Sequence, residues 1–198
     1  SLMKEYIGEE FQELILEDQS VEKCVFEDCI FENCKFQELL LKGCLFSGCV
    51  FIKCRFSGLH IKNTEALGNT FRACSLTGVN WSDLLEEKKR EMGFLPFDLL
   101  ERCTVRHSVF YRLNLRKFDF TGCDLAGSYF DECDLSESSF RETLLKGSSF
   151  SQNNLSAADF RGAADYCFSL TNNRAQKAKF SLPEAVNLLA ALGIVIED

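Results

Sequence analysis

The sequence predicts an all-β solenoid, a coil that turns a corner every five residues and stacks its turns around one core. Three regularities predict it. Large apolar residues recur at a step of five, a smaller residue stands two places before each, and the other three places are mostly polar. Gly, Asp, Asn, Ser and Glu are prominent there, as in turns and solvent-facing positions. A helix does not fit, because inward residues five apart drift around its surface. A strand does not fit, because an odd step alternates faces.

The first block covers residues 1–81. Its large place reads Phe11, Leu16, Val21, Phe26, Phe31, Phe36, Leu41, Phe46, Phe51, Phe56, Ile61, Ala66, Phe71, Leu76 and Trp81, with Ala66 the one weak member. From Trp81 to Val105 the step is 24, not a multiple of five, so 82–102 reads as a non-repeat insertion. The second block, 103–162, places Val105, Phe110, Leu115, Phe120, Leu125, Phe130, Leu135, Phe140, Leu145, Phe150, Leu155 and Phe160 in frame. Residues 163–180 are expected to form a connector, and 181–198 a helix with a short strand.

Ten of the eleven cysteines occupy the small place, Cys24, Cys29 and Cys34 among them. An odd count, a very regular spacing and the lack of an apolar signal core at the N-terminus argue against a disulfide scaffold. Met3, after Ser1 and Leu2, is read as the native start. Zinc is not expected, since the step is C-x₄-C and only two histidines are present. The thiols are expected to be reduced, buried and packed as small hydrophobes.

In the insertion, the charged run Glu86 to Glu91, with Leu84, Leu85 and Met92 near its ends, is expected to form a short helix that Pro96 ends. It is either a tolerated surface insertion or a projecting contact loop. At the C-terminus Ser181 and Glu184 have capping-box spacing, Pro183 lies in the first turn, and Gly193 follows as a stop. Leu182, Val186, Leu189 and Leu192 make an apolar stripe, widened by Leu188, and Ile194, Val195 and Ile196 read as a short strand. Such a helix would cap the open end of the core, where strand edges otherwise lie exposed.

"GCDLAGSYFDECDLSESSF" (122–140) and "NNLSAADFRGA" (153–163) follow the pattern A-[DN]-[LF]-x-x. On these residues the chain resembles the pentapeptide-repeat family over about two thirds of its length. The resemblance implies a right-handed quadrilateral β-helix with four pentapeptides per turn, in which residues twenty apart stack. The resemblance extends in fold to Qnr-type quinolone-resistance and microcin-immunity proteins. It implies protein binding, with DNA gyrase as the most nameable partner through partial DNA mimicry. It also implies a homodimer through a C-terminal helix, for which Leu182, Val186, Leu189 and Leu192 are the candidate residues.

Charge limits that reading. The net charge is −8, which argues against direct nucleic-acid binding. Residues 1–40 hold eleven acids and three bases, whereas residues 41–81 hold one acid, Glu65, and five bases: Lys42, Lys53, Arg55, Lys62 and Arg72. The chain is therefore acidic at one end only, unlike a uniform mimic of DNA. The outward place before each large residue is apolar at Val25, Ile30, Leu40, Leu45 and Val50. This is either good strand propensity, or a partner patch or contact with the insertion, and Val25, Ile30, Leu45 and Val50 are retained with Glu86, Glu87 and Glu91 as candidate partner surfaces.

Nothing points to catalysis. His60 and His107 fall at outward places, and Asp119, Asp124, Asp134 and Asp159 fall at the acidic place of the repeat. No nucleophile is paired with a base, and no cofactor or metal is expected. No stretch approaches the about 20 apolar residues of a membrane span, and a cytoplasmic location is expected. The reading is thus a non-enzymatic binding protein, with a scaffold of unknown partner as the alternative.

Overall fold

The computed structural model describes residues 3–198. Each five-residue unit of the first block is a short strand and a corner. The strand holds the large residue and its two neighbours, as in Ile30–Glu32 and Val50–Ile52. The corner is the residue two places past the large one. From Gly8 to Gly78, and again from Arg102 to Gly162, every residue at that place has φ between 46° and 77°. This left-handed conformation costs a residue with a Cβ roughly 1–2 kcal/mol and suits glycine. Glu13, Asp28, Lys53 and Ala73 nevertheless adopt it. Their sequence does not ask for the turn, so the ladders and core on either side impose it.

Register repeats at twenty residues. Phe11, Phe31, Phe51 and Phe71 are successive partners on one face, and all strand pairings are parallel. Four units therefore make one coil. Its first face carries Lys4–Ile7, Cys24–Glu27, Leu45–Ser47 and Glu65–Leu67, and three further sheets complete the four sides.

Parallel strands lie about 4.8 Å apart, so rings one coil apart stack. Centroids are 4.7 Å apart for Phe31–Phe51, 4.4 Å for Phe110–Phe130 and 4.8 Å for Phe140–Phe160. Rings on different faces meet edge-on, as in Phe51–Phe56 on adjacent faces at 72° and Phe130–Phe140 on opposite faces at 83°. Both geometries suit the aromatic quadrupole, and each buried ring contributes roughly 1.5–3 kcal/mol. Phe26, Phe31, Phe36, Phe51, Phe71, Phe110, Phe120, Phe130, Phe140, Phe150 and Phe160 are buried. Phe46 and Phe56 are only partly buried, and both line a cavity of about 60 Å³ beside the small Ala66.

The small place carries more than size. In the first block its main-chain N–H is accepted in three units by the side chain one coil on, Cys44 N by Thr64 Oγ1 (3.2 Å), Cys49 N by Asn69 Oδ1 (2.9 Å) and Cys54 N by Cys74 Sγ (3.4 Å), whereas in much of the second block it bonds the carbonyl three residues before, as Ser138 N does Leu135 O. The same side chains donate to the carbonyl of a large residue in the preceding coil. Asn69 Nδ2 reaches Phe46 O (3.0 Å), Cys74 Sγ reaches Phe51 O (3.3 Å) and Ser128 Oγ reaches Val105 O (2.8 Å). A small side chain that both accepts and donates is what Cys, Ser, Thr and Asn share. Reading these thiols as hydrophobes alone is therefore incomplete.

All eleven cysteines are free thiols, and only Cys167 is exposed. Burial pushes Cys49, Cys123 and Cys133 up to about 12. In the column of Cys54, Cys74 and Cys103, hydrogen bonds between neighbouring thiols lower Cys54 and Cys103 and raise Cys74.

The break is shorter than the expected 82–102 insertion. Phe71 pairs with Leu100, an offset of twenty-nine instead of twenty, so nine extra residues are accommodated. They form a 3₁₀ turn at Trp81–Leu84 and a helix, α1, at Glu87–Glu91. Gly93, at φ 88°, follows the helix and turns the chain before Pro96 is reached. Phe97–Glu101 then rejoins the second face through a bulge, and Phe97 and Leu100 are fully buried. The solenoid has therefore resumed before Cys103.

The C-terminal expectations need correction in three respects. Residues 163–180 are a further, imperfect coil: Ala164, Arg174 and Lys179 bridge to the coil before, Phe180 stacks on Phe160, and Tyr166 and Phe168 fill the interior. The capping box does not form. Ser181 Oγ accepts from Gly162 N (2.9 Å) and Glu184 Oε2 from Asp165 N (3.1 Å), so both side chains finish the ladder of the preceding coil. The chain then makes a 3₁₀ turn at Glu184–Val186 and a single turn of helix, α2, at Asn187–Ala190, with Leu188 turned inward. Residues 194–196 pair with nothing among the described residues and form no strand.

This core leads to two expected outcomes. Phe130→Ala should cost about 3–5 kcal/mol in denaturant unfolding, and Phe11→Ala, half-buried in the first coil, clearly less; equal losses would contradict the burial gradient. Thiols held protonated to about 12 stay neutral in the fold, whereas in the unfolded chain they ionise near the ordinary value of 9.0. The unfolded state therefore binds fewer protons above pH 9, and stability should fall as pH rises from 9 towards 12. A Cys49→Ser, Cys123→Ser, Cys133→Ser variant should show a flatter decline in the same window.

Candidate protein-binding surfaces

Among the described residues no three His, Cys, Asp or Glu side chains gather to hold a metal. His60 Nε2 lies 3.3 Å from Glu38 Oε2 with both side chains exposed. His107 occupies a left-handed corner directly over Gly127. No helix among the described residues is long and apolar enough to cross a membrane. The chemistry the surface offers is charge, apolar area and main-chain edges.

The acidic surface lies on the N-terminal coils. Glu5, Glu9, Glu10, Glu13, Glu17, Asp18, Glu22, Glu27, Asp28 and Glu38 are exposed, and Glu32 is half-buried. The strand alternation directs all but Glu9 outward, since each occupies a place beside the large residue or at a corner, whereas Glu9 stands at the small place of the first coil. Glu17 meets Lys35 at 2.8 Å, an exposed pair worth little.

The second surface is the excursion carrying α1. Leu84 and Leu85 are buried and anchor it, Ser82 Oγ donates to Tyr111 O (2.7 Å), and Lys89 Nζ meets Glu65 Oε2 (2.6 Å) on the first face. The neighbouring carboxylate raises the Lys89 ammonium above its ordinary value. Glu86, Glu87 and Glu91 are exposed, Glu87 3.6 Å from Arg112. The anchoring by Leu84, Leu85 and Lys89 was not read from the sequence. An apolar pair just after Trp81 was the available signal.

The third surface is the apolar ladder. Val25 pairs with Leu45 on the first face and Ile30 with Val50 on the second. Ile30 is 36% exposed and the others are half-buried. Leu45 also borders a groove with Met3, Glu65, Leu85 and Glu86, so one edge of the ladder meets the excursion while Ile30 and Val50 lie on the next face. The fourth surface is the C-terminal segment, where Leu182 is 80%, Val186 40%, Leu189 39% and Leu192 60% exposed.

The sequence matches the family model described as "Pentapeptide repeat region" over residues 24–88, and that described as "Pentapeptide repeats (8 copies)" over residues 100–136 and 133–164. No curated protein matches it. Among solved structures it is similar to HetL, a pentapeptide repeat protein involved in heterocyst differentiation regulation from the cyanobacterium Nostoc sp. strain PCC 7120. Identity is 14%, coverage 88% of this chain and 85% of that one, and TM-score 0.51. It is also similar to trypsin-treated QnrB1 (M102R), a plasmid-mediated fluoroquinolone resistance protein, with 17% identity, 99% coverage of both chains and a TM-score of 0.41. At 14% identity the likeness to HetL concerns the fold alone. The family matches span well over half of the sequence, with the same step of five that builds each coil: the chain belongs to the pentapeptide repeat family.

Proposed function

We propose that this protein is a non-enzymatic rod that acts by binding another protein through its charged outer surface. The observation that carries this reading is the exposed acidic coating of the N-terminal coils, reinforced by Glu86, Glu87 and Glu91 on the anchored excursion. A rigid coil holds these carboxylates without further ordering, so a basic partner meets a preset field. A basic groove that normally holds DNA is a surface of that kind, and DNA gyrase is the partner the family resemblance suggests. The net charge of +4 over residues 41–81 restricts any mimicry of DNA to one end and the excursion.

Exposed Leu182, Val186, Leu189 and Leu192 support association of two copies through the C-terminal segment. A second reading, a scaffold with no topoisomerase role, is favoured by the half-buried ladder of Val25, Ile30, Leu45 and Val50.

Supercoiling by purified gyrase, with and without a quinolone, separates the two. Because Leu84 and Leu85 are core residues, the excursion is tested by charge reversal, not deletion. Glu86→Lys, Glu87→Lys and Glu91→Lys together should weaken protection about tenfold or more and leave the thermal melt nearly unchanged. A folded protein that neither binds nor modulates gyrase at micromolar concentration sinks the gyrase reading. In that case Leu45→Lys with Val50→Lys should abolish capture of the scaffold's partner without unfolding the rod. In sedimentation velocity, Leu189→Lys with Leu192→Lys should convert a dimer to a monomer; an unchanged sedimentation coefficient contradicts the C-terminal interface.

A further inference from the structure

Besides projecting from the rod, the excursion makes one wall of a groove. The floor is the sheet of Val109–Tyr111, Tyr129–Asp131 and Ser149–Ser151. The 3₁₀ turn at Trp81–Leu84 stands over the first of these strands, with Asn80 bridged to Val109 and Ser82 Oγ bonded to Tyr111 O (2.7 Å). The space enclosed is about 460 Å³. Tyr129 and Asp131 flank the buried Phe130 on one strand, so both side chains point outward, roughly 7 Å apart along it. Tyr129 is 55% exposed, the most open aromatic ring among the described residues.

The charges in this groove are unmatched. Asp131 on the floor and Asp83 on the turn both line it, and among the described residues neither carboxylate has an ion pair or a hydrogen bond. The one cation in the lining is Arg90, which donates only to a neutral carbonyl, Tyr111 O (3.3 Å). Its buried Nε finds no acceptor among the described residues, a costly arrangement for a donor. Arg112 is already engaged by Glu132 (3.1 Å) and Glu87 (3.6 Å). An open ring beside two unpaired carboxylates attracts a cation, and an under-satisfied guanidinium takes a carbonyl oxygen. One extended polypeptide carrying Lys or Arg supplies both, whereas a nucleic-acid backbone is opposed by both carboxylates. We infer that this groove receives an extended basic segment of a partner protein, its cation over Tyr129 beside Asp131 and Asp83, and a main-chain carbonyl turned to Arg90. The inference rests on the reading of a basic partner and gives that partner a point of entry. Glu86, Glu87 and Glu91, which carry the charged outer surface, do not line the groove.

The probe is a fluorescent hexapeptide of alternating Lys and Ser, added to the full chain and followed by anisotropy. Saturable binding is expected, weakened about tenfold by Tyr129→Ser and by Asp131→Asn with Asp83→Asn. These side chains are exposed or half-buried, so the thermal melts should match the parent's. Glu9→Gln with Glu10→Gln removes the same charge from the first coil, beyond a screening length, and should change binding by less than about twofold. The peptide with acetylated lysines keeps its length but not its charge, and it should not bind. Equal weakening by the two double variants, or binding indifferent to Tyr129→Ser, would reduce the site to diffuse charge attraction and overturn the proposal. Absence of binding at millimolar peptide would overturn it too. So would self-association of the parent that Tyr129→Ser abolishes, which would make a second copy the occupant. Gyrase that ignores the protein while the peptide binds as expected removes the gyrase reading alone; gyrase that responds while the peptide does not bind removes the groove alone.

Discussion

One backbone constraint organises this molecule: every fifth residue must turn in the left-handed region. The turn brings the chain through one side of a square in five residues, and four such turns return it to its own starting face, twenty residues on. Without it, the large places would not all point inward. Glycine meets the constraint without strain at Gly43, Gly48 and Gly58, but Lys53 and Ala73 meet it against their preference. The strain is offset by what the turn makes possible. Rings stack at the strand spacing, and buried small residues such as Asn69 find a donor and an acceptor one coil away.

The same geometry separates stability from function. Inward places are occupied by packing and by the hydrogen bonds of Cys, Ser, Thr and Asn, so little chemistry is left inside. The outward places are free of that demand. Acids crowd the first coils, bases the next, and apolar residues a ladder across two faces. Function then depends on surface pattern and on the few places where the coil is interrupted. The excursion after Trp81 illustrates this. Two buried leucines and the Lys89–Glu65 pair hold it against the first face while its carboxylates point to solvent. A segment that is both anchored and charged presents a fixed field instead of a mobile one.

The period, the coil and the two blocks were legible in the sequence because an inward place tolerates few residue types. The corner was not legible, since Glu, Lys and Asp are ordinary surface residues and their φ is set by neighbours twenty residues away. The early return of the second block escaped because a bulge at Phe97 displaces the register, although Leu100 is itself in frame with Val105. The last coil escaped because Asp165 breaks the apolar place and Leu170, though in frame, is exposed, while Tyr166 and Phe168 fill the interior from other positions. Ser181 and Glu184 have the spacing of a helix cap and make bonds to the preceding coil instead. Local spacing was outweighed there by a ladder that needed ending.

The central claim, that the left-handed corner is imposed by the coil and strained where a Cβ is present, is tested most directly at Ala73. This residue is exposed, has φ 53° and makes no side-chain hydrogen bond. The measurement is the free energy of unfolding of Ala73→Gly and Ala73→Val against the parent chain. Glycine should raise stability by about 0.5–1 kcal/mol, the relief of strain exceeding the added freedom of the unfolded chain. Valine, β-branched at positive φ, should lower it by at least as much. A glycine variant less stable than the parent, or a valine variant equal to it, would contradict the account.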